Sequence, residues 1–204
     1  MNILLLGATG TFGTALTKKL LCCTDYHLTL FSRHAGEAYS DNERITVVNG
    51  DATSEDLEKV LQGQNLVYCA ISGEQLPKVA ENLAVNMPKA NVRRLIFMGA
   101  VGIYNEIPDE MDGKDNVENN PEQIPNRQAV DIIESSSLAY TVLRPGFLQD
   151  GDEDDFVLTV KGEAAKGYIS TIPSVVKLVL QLIEDESLYH RESVSITKDM
   201  REQN

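Results

Sequence analysis

A glycine-rich segment near the start of the chain has the spacing Gly7-x-x-Gly10-x-x-Gly13. Gly7 permits a tight turn, Gly10 leaves the main chain bare for a pyrophosphate, and Gly13 lets a helix pack closely on a strand. The segment follows an apolar run, Asn2–Leu6, and precedes an amphipathic one, Thr11–Leu21, whose first N–H groups favour negative charge. This context predicts a dinucleotide-phosphate site, although a turn with no ligand would use the same glycines. The residues predicted to form it are Gly7, Thr9, Gly10, Thr11, Phe12 and Gly13.

The end of the next apolar run indicates which dinucleotide binds. A chain that binds NAD(H) usually has Asp or Glu there, about 20 residues on, to bind the ribose hydroxyls. This chain has Phe31-Ser32-Arg33-His34 instead, with no acid before Glu37. Arg33 is placed to bind a 2′-phosphate, Ser32 to add a hydrogen bond, and His34 to add positive charge when protonated. The pattern favours NADP(H) over NAD(H), and the alternative is a solvated arginine at a strand end.

Apolar runs alternate with helical patterns along most of the 204 residues. This alternation predicts an α/β fold: a Rossmann-type, doubly wound parallel sheet in a single domain, 1–204, with a small C-terminal extension on the substrate side. The predicted strands are Asn2–Leu6, His27–Phe31, Ile45–Val48, Asn65–Ile71, Arg94–Met98, Tyr140–Leu143, Phe156–Val160 and Ser193–Thr197. The predicted helices are Thr11–Leu21, one capped by Ser54 and running through Leu61, Leu76–Ala90, Arg127–Ser135 and Ile172–Ile183.

Composition excludes several classes of function. The net charge of −13 argues against binding nucleic acid or an anionic membrane surface. The apolar start is too short for a signal peptide or a membrane span, and the three cysteines have no metal-site spacing, so we expect a cytoplasmic protein with no metal and no disulfide. One of the adjacent Cys22 and Cys23 is expected in the core. The sequence leaves the oligomeric state open.

Two acidic segments follow the fifth predicted strand. Asn105–Pro125 carries seven acids against one base, Lys114, and a second cluster spans Asp150–Asp155. The second cluster lacks the ligand spacing of a calcium loop and is expected to be a solvated turn. If both segments lie beside the substrate entrance, they should favour a neutral or cationic substrate as the acceptor of the cofactor's hydride. The alternative is that they only face solvent.

These features resemble the atypical short-chain dehydrogenase/reductase superfamily, in its NAD(P)H-binding, NmrA-like group, which includes the flavin and biliverdin reductases. The matching pieces span residues 1 to about 180 and are Gly7–Gly13, Arg33, Gly50-Asp51, Ala70-Ile71-Ser72, Phe97–Tyr104 and Tyr140–Gly146. The resemblance implies that Asp51 and Ala52 flank the adenine and that Ala70, Ile71 and Ser72 line the cofactor ribose. It also implies that Pro145 and Gly146, with Phe147, meet the nicotinamide amide through backbone groups.

The chain departs from the catalytic pattern of this superfamily. Complete members use a serine after the fifth strand and a Tyr-x-x-x-Lys helix, whose tyrosine protonates the carbonyl oxygen. Here the strand ends Met98-Gly99-Ala100, and none of the seven tyrosines has a lysine four residues later. Arg127 stands roughly where the lysine would be. Tyr104 either hydrogen-bonds a substrate or anchors its loop, and Arg144 is expected to be structural.

Two functions fit these observations. The first is an NADPH-dependent reductase of a conjugated acceptor, of quinone or flavin type, which needs no protein acid. Tyr104 and Arg127 are then the only weak candidates for catalysis. The second is a non-catalytic regulatory protein that senses NADP(H) and reports its occupancy to a partner.

Overall fold

The first strand, Asn2–Leu6 (β1), is buried on both of its faces. Leu4 and Leu6 belong to one hydrophobic cluster and Ile3 and Leu5 to another, as the two-residue period of a strand requires. A strand of this kind needs helices on both sides, and the computed structural model, which describes residues 1–200, shows that arrangement.

Eight strands form the main sheet, in the order β3-β2-β1-β4-β5-β6-β10-β8. Neighbouring strands are parallel except for β8, which is antiparallel to β10. The strands are Asn2–Leu6 (β1), His27–Ser32 (β2), Ile45–Asn49 (β3), Leu66–Cys69 (β4), Arg94–Met98 (β5), Ala139–Pro145 (β6), Phe147–Gln149 (β7), Val157–Val160 (β8), Ile169–Thr171 (β9) and Glu192–Thr197 (β10). The helices are Thr11–Cys23 (α1), Ala35–Ala38 (α2), Asp56–Val60 (α3), Leu76–Lys89 (α4), Ile124–Ser135 (α5) and Ile172–Glu184 (α6).

The longer helices cover the two faces of the sheet in separate groups. α3, α4 and α5 pack on one face, through side chains such as Leu57, Leu83 and Ile133. α1 and α6 pack on the other, through side chains such as Leu16 and Leu182. The predicted Rossmann-type, doubly wound sheet is therefore confirmed.

β7 and β9 form a separate parallel pair directly after the carboxyl end of β6. The sequence did not predict either strand, because three residues are too few to show a period of two. The loop between β5 and α5 contains three short 3-10 turns, Asp109–Met111, Gly113–Asp115 and Pro121–Gln123. Together these segments make a small extension beside the carboxyl ends of β5 and β6.

Two local predictions were wrong. Cys22 and Cys23 are both exposed, because the buried stripe of α1 ends at Leu20 and neither cysteine continues it. Glu55, not Ser54, is the N-cap of α3, although the Ser54 hydroxyl accepts a hydrogen bond from the Asp56 N–H (3.1 Å).

Candidate cofactor site

The glycine turn between β1 and α1 has the close contacts that its spacing predicts. Gly7 has φ +82°, and a Cβ on it would lie 2.8 Å from the Ala70 carbonyl oxygen. A Cβ on Gly13 would lie 2.2 Å from the Gly7 carbonyl oxygen, so only glycine lets α1 start this close to the turn. At Gly10 the nearest atom to such a Cβ is the Gly7 oxygen at 3.3 Å, which leaves the space above Gly10 open.

This turn lies at the switch point of the sheet. β1 has β2 on one side and β4 on the other, so the connections leave in opposite directions and open a crevice at the carboxyl ends of the strands. A cavity of about 380 Å³ occupies that crevice. The predicted residues that line it are Gly7, Thr9, Gly10, Ser32, Arg33, Asp51, Ala52, Ala70, Ile71 and Ser72.

The end of β2 presents polar and basic groups to this cavity. The Thr9 hydroxyl donates to the Ser32 hydroxyl oxygen (3.2 Å), which ties the glycine turn to β2. Arg33 and His34 both line the cavity and are exposed, and His34 Nδ1 lies 3.2 Å from Glu37 Oε1. Glu37 does not line the cavity, so the first acid after β2 does not occupy the place where an acid would bind ribose hydroxyls.

Asp51, after β3, is held as an anion at the edge of the cavity. Its Oδ1 accepts hydrogen bonds from the main-chain N–H and the hydroxyl of Thr53, both at 2.8 Å. These two bonds, with a smaller contribution from the Arg33 charge, lower the pKa of the Asp51 carboxyl group. Ala52 beside it is buried, and its carbonyl oxygen accepts from Asn82 Nδ2 (3.1 Å), which fixes this wall.

Several cavity residues were not assigned to the site from the sequence. They are Phe31, Gly50, Thr53, Glu74, Gln75 and Val79. The first three adjoin assigned positions, and a Cβ on Gly50 would lie 2.6 Å from the Phe31 ring, so these two pack together. Glu74 and Gln75 follow Ser72 in the loop before α4, and their place after a strand end was a signal that could have found them.

Comparison with known proteins identifies the family. A family profile for NAD(P)H-binding domains matches residues 7–186. The chain belongs to this NAD(P)H-binding family. No curated protein matches the chain.

Solved structures agree with this assignment. A short-chain dehydrogenase/reductase (wide type) from Veillonella parvula DSM 2008, in complex with NADP, is 27% identical with a TM-score of 0.87, covering 98% of this chain and 95% of that one. A Rossmann-fold NAD(P)-binding family protein from Shigella flexneri is 30% identical, with a TM-score of 0.81 and coverage of 98% and 94%. An anaerobillin reductase from Escherichia coli O157:H7 shares the fold at 19% identity, with a TM-score of 0.81 and coverage of 98% of each chain. The resemblance to atypical short-chain dehydrogenases/reductases is confirmed, as is an NAD(P)(H) cofactor.

The glycine cradle suits the cofactor's phosphates. Thr11, Phe12 and Gly13 do not line the cavity, but they form the first turn of α1, whose N–H groups have no partner within the helix. Those N–H groups and the open space above Gly10 are the features that a pyrophosphate needs. The cavity therefore fits a dinucleotide.

The main-chain N–H groups of the turn after β6 have partners within the protein. Gly146 donates to the Ser170 hydroxyl oxygen and Phe147 to the Tyr168 carbonyl oxygen, each at 2.7 Å. The Pro145 carbonyl oxygen accepts from the Val101 N–H (2.9 Å). That this turn meets the nicotinamide amide through its other backbone groups stays an expectation. Neither Pro145 nor Gly146 lines the cavity.

Tyr104 and Arg127, the two weak catalytic candidates, lie together but outside the cavity lining. The Tyr104 hydroxyl is 2.7 Å from Glu134 Oε1 and 3.1 Å from Ser193 Oγ, and the Arg127 guanidinium lies 4.8 Å from the Tyr104 ring centre. Arg127 also bonds Asp131 and the Ile103 carbonyl oxygen. Burial, more than any other cause, raises the pKa of Tyr104 well above its ordinary value. The Tyr104 hydroxyl thus connects the loop after β5 to α5 and β10, and Arg127, on α5, bonds the same loop.

Arg144 is structural, as expected, and its partner is unexpected. It is buried and forms an ion pair with Glu106, whose side chain is 5% exposed. The Arg144 guanidinium also donates to Ser193 Oγ (3.1 Å) and to the Thr159 carbonyl oxygen (3.2 Å). Glu106 therefore does not belong to the exposed acids of the 105–125 loop, among which the sequence analysis counted it.

The second acidic cluster is largely paired with lysines. Glu153 lies 3.8 Å from Lys19, Asp155 lies 2.8 Å from Lys198, and Asp154 pairs with Lys177. These partners are on α1, on α6 and just after β10. The negative charge of this cluster is therefore partly neutralised.

Two further properties concern residues 1–200 as described. No helix among them is long and apolar enough to cross a bilayer. Within the same range, no group of three or more His, Cys, Asp or Glu side chains is arranged to hold a metal ion.

Proposed function

We propose that this protein is an NADPH-dependent reductase of a conjugated acceptor, of quinone or flavin type, that works without a Tyr–Lys catalytic pair. When bound, the cofactor supplies the hydride. The protein's own contribution is to hold the dinucleotide and to orient the acceptor against it. The observation that carries the proposal is a cofactor cavity whose lining, in the described residues, includes neither Tyr104 nor Arg127.

The choice of NADP(H) rests on the β2 end of the cavity. Arg33 is exposed there and able to turn its guanidinium to a 2′-phosphate, which it can bind through two parallel hydrogen bonds. The Ser32 hydroxyl is held beside it by Thr9. Supporting this choice, the similar reductase from Veillonella parvula is in complex with NADP.

The choice of acceptor rests on proton supply. A ketone needs a proton on its oxygen as the hydride arrives, and a tyrosine usually donates it. Tyr104 is committed to Glu134 and Ser193, and its raised pKa makes the hydroxyl a poor acid. A conjugated acceptor spreads the incoming charge over its rings and can take its proton from water, so it needs no such residue.

The test is NADPH consumption with a panel of quinones and flavins, with a simple aliphatic ketone as the control. The proposal expects turnover with members of the panel and none with the ketone. Tight NADPH binding with no turnover on any of them would contradict the reductase and favour the alternative, a protein that senses NADP(H) occupancy.

A further inference from the structure

The cavity gives the direction in which a dinucleotide would lie along the edge of the sheet. Arg33 and Asp51 mark the adenosine side, at the ends of β2 and β3, and the glycine turn at β1 marks the phosphates. Beyond the phosphates, the edge continues through Ile71, after β4, to the ends of β5 and β6. An acceptor that meets the nicotinamide half must approach there.

The most exposed large apolar side chain among residues 1–200 lies just after the end of β6. Phe147, two residues past the end of β6, has 68% of its surface exposed. A phenyl ring left in water gives up the free energy that burial would provide. A single exposed apolar residue is ordinary on a protein surface, so its surroundings decide its meaning.

The main chain holds Phe147 firmly. Its N–H donates to the Tyr168 carbonyl oxygen (2.7 Å), and it pairs with Ile169 in the β7–β9 ladder. At the preceding Gly146, a Cβ would lie only 2.1 Å from the same Tyr168 oxygen, so the two strands are in close contact. The ring is therefore exposed on a fixed base, and a ligand that stacks on it does not have to order a loop.

Other apolar side chains lie on the segments that meet the end of β6. The Pro145 carbonyl accepts from the Val101 N–H (2.9 Å), and the Val101 carbonyl accepts from Gln123 Nε2 (3.3 Å). This chain of bonds brings the start of α5, with its 44% exposed Ile124, toward the end of β6. The loop after β5 and the segment before β9 share a small hydrophobic cluster, separate from the cores on the two sheet faces. Its members are Val101, Ile107 and Ala165, with Met111 and Tyr168 packed against them.

Charge on the adjoining loop restricts the ligand further. Asp109, Glu110, Glu118 and Glu122 are exposed on the segment that joins β5 to α5. An anionic acceptor would be repelled by these carboxylates, whereas an uncharged ring system gains from the apolar surface.

We propose that Phe147 is the acceptor-binding residue, a stacking platform for a flat, uncharged, conjugated ring system. This inference rests on the proposed function, because it places the acceptor at the nicotinamide end of the cavity. The exposed acids of the adjoining loop select against anionic acceptors.

The test measures binding, so it does not depend on turnover. The probe is lumichrome, an uncharged three-ring flavin chromophore, titrated by fluorescence into the protein saturated with NADP⁺. Phe147→Ala should weaken lumichrome binding about tenfold, as expected for the loss of one aromatic stacking partner, and Phe147→Trp should restore it. NADP⁺ affinity and thermal melting should not change, because the ring is exposed. Val85→Ala, at a 55% exposed position on α4, is the matched control and should bind lumichrome like the unmutated protein.

The outcomes separate this inference from the proposed function. Equal lumichrome affinity in the unmutated protein and in Phe147→Ala would overturn the platform, as would failure of the unmutated NADP⁺ complex to bind lumichrome. A third outcome is lumichrome binding that depends on Phe147 in a protein that does not oxidise NADPH with any acceptor of the panel. That result would support the platform and overturn the reductase.

Discussion

Arg33→Ala should remove most of the preference for NADPH over NADH. Arg33 lines the cavity at the end of β2, where no acid is present to bind ribose hydroxyls. A charge-assisted hydrogen bond to the 2′-phosphate contributes about 1.5–3 kcal/mol, so the unmutated protein should bind NADPH about tenfold more tightly than NADH, or better. Arg33 is exposed, and solvent screening places the effect toward the lower end of that range.

The assay is a titration of each cofactor by isothermal calorimetry at low and at high salt. NADPH affinity should fall in Arg33→Ala while NADH affinity stays nearly constant. High salt should reduce the difference between NADPH and NADH affinity only in the unmutated protein. Arg93→Ala is the matched control, because it also removes an exposed positive charge, just before β5, at the opposite edge of the sheet. Equal affinities for the two cofactors in the unmutated protein would refute the reasoning.

Three further predictions test other parts of the molecule. Gly10→Val should keep the fold, because Gly10 has φ −76°, which valine adopts freely. It should abolish cofactor binding, because the valine methyl groups would enter the phosphate space. Retained affinity in a folded variant would mean that the turn is only structural. Glu106→Gln should lower the free energy of unfolding in urea by about 3–5 kcal/mol, because it leaves the buried Arg144 charge uncompensated. The exposed Glu118→Gln in the same loop should be nearly neutral, and a loss below about 1 kcal/mol at Glu106 would contradict the buried pair. Menadione should be reduced faster than FMN at low salt, because the acids of the 105–125 loop repel the phosphate of FMN. The difference in rate should be smaller at high salt, which screens these acids. Faster turnover of FMN at low salt would refute an acidic substrate entrance.

The fold was predictable because its signals are local. The β1–α1 turn needs glycine at fixed places, and the contacts at Gly7 and Gly13 show why no other residue fits. The buried parallel strands are continuous apolar runs, so β5 was predicted with both ends correct, Arg94–Met98. β6 ran two residues past the expected Leu143, because Arg144 and Pro145 continue the pairing with β10.

The remaining parts depend on contacts between distant residues. Glu106 lies in a run of acids, a pattern that predicts a solvated side chain. Only the fold brings Arg144 to it from β6. The paired acids of Asp150–Asp155 show the same effect, since their lysines come from other elements. The β7–β9 pair, which fixes Phe147, joins segments that are too short to be recognised in the sequence.

The most direct test of the central claim is an anaerobic reaction of the protein–NADPH complex with menadione, followed by the near-ultraviolet absorbance of NADPH. The unmutated protein should oxidise its bound NADPH when menadione is added, and Gly10→Val, unable to hold the cofactor, should not. If bound NADPH is consumed no faster than NADPH in free solution, the protein is not the proposed reductase.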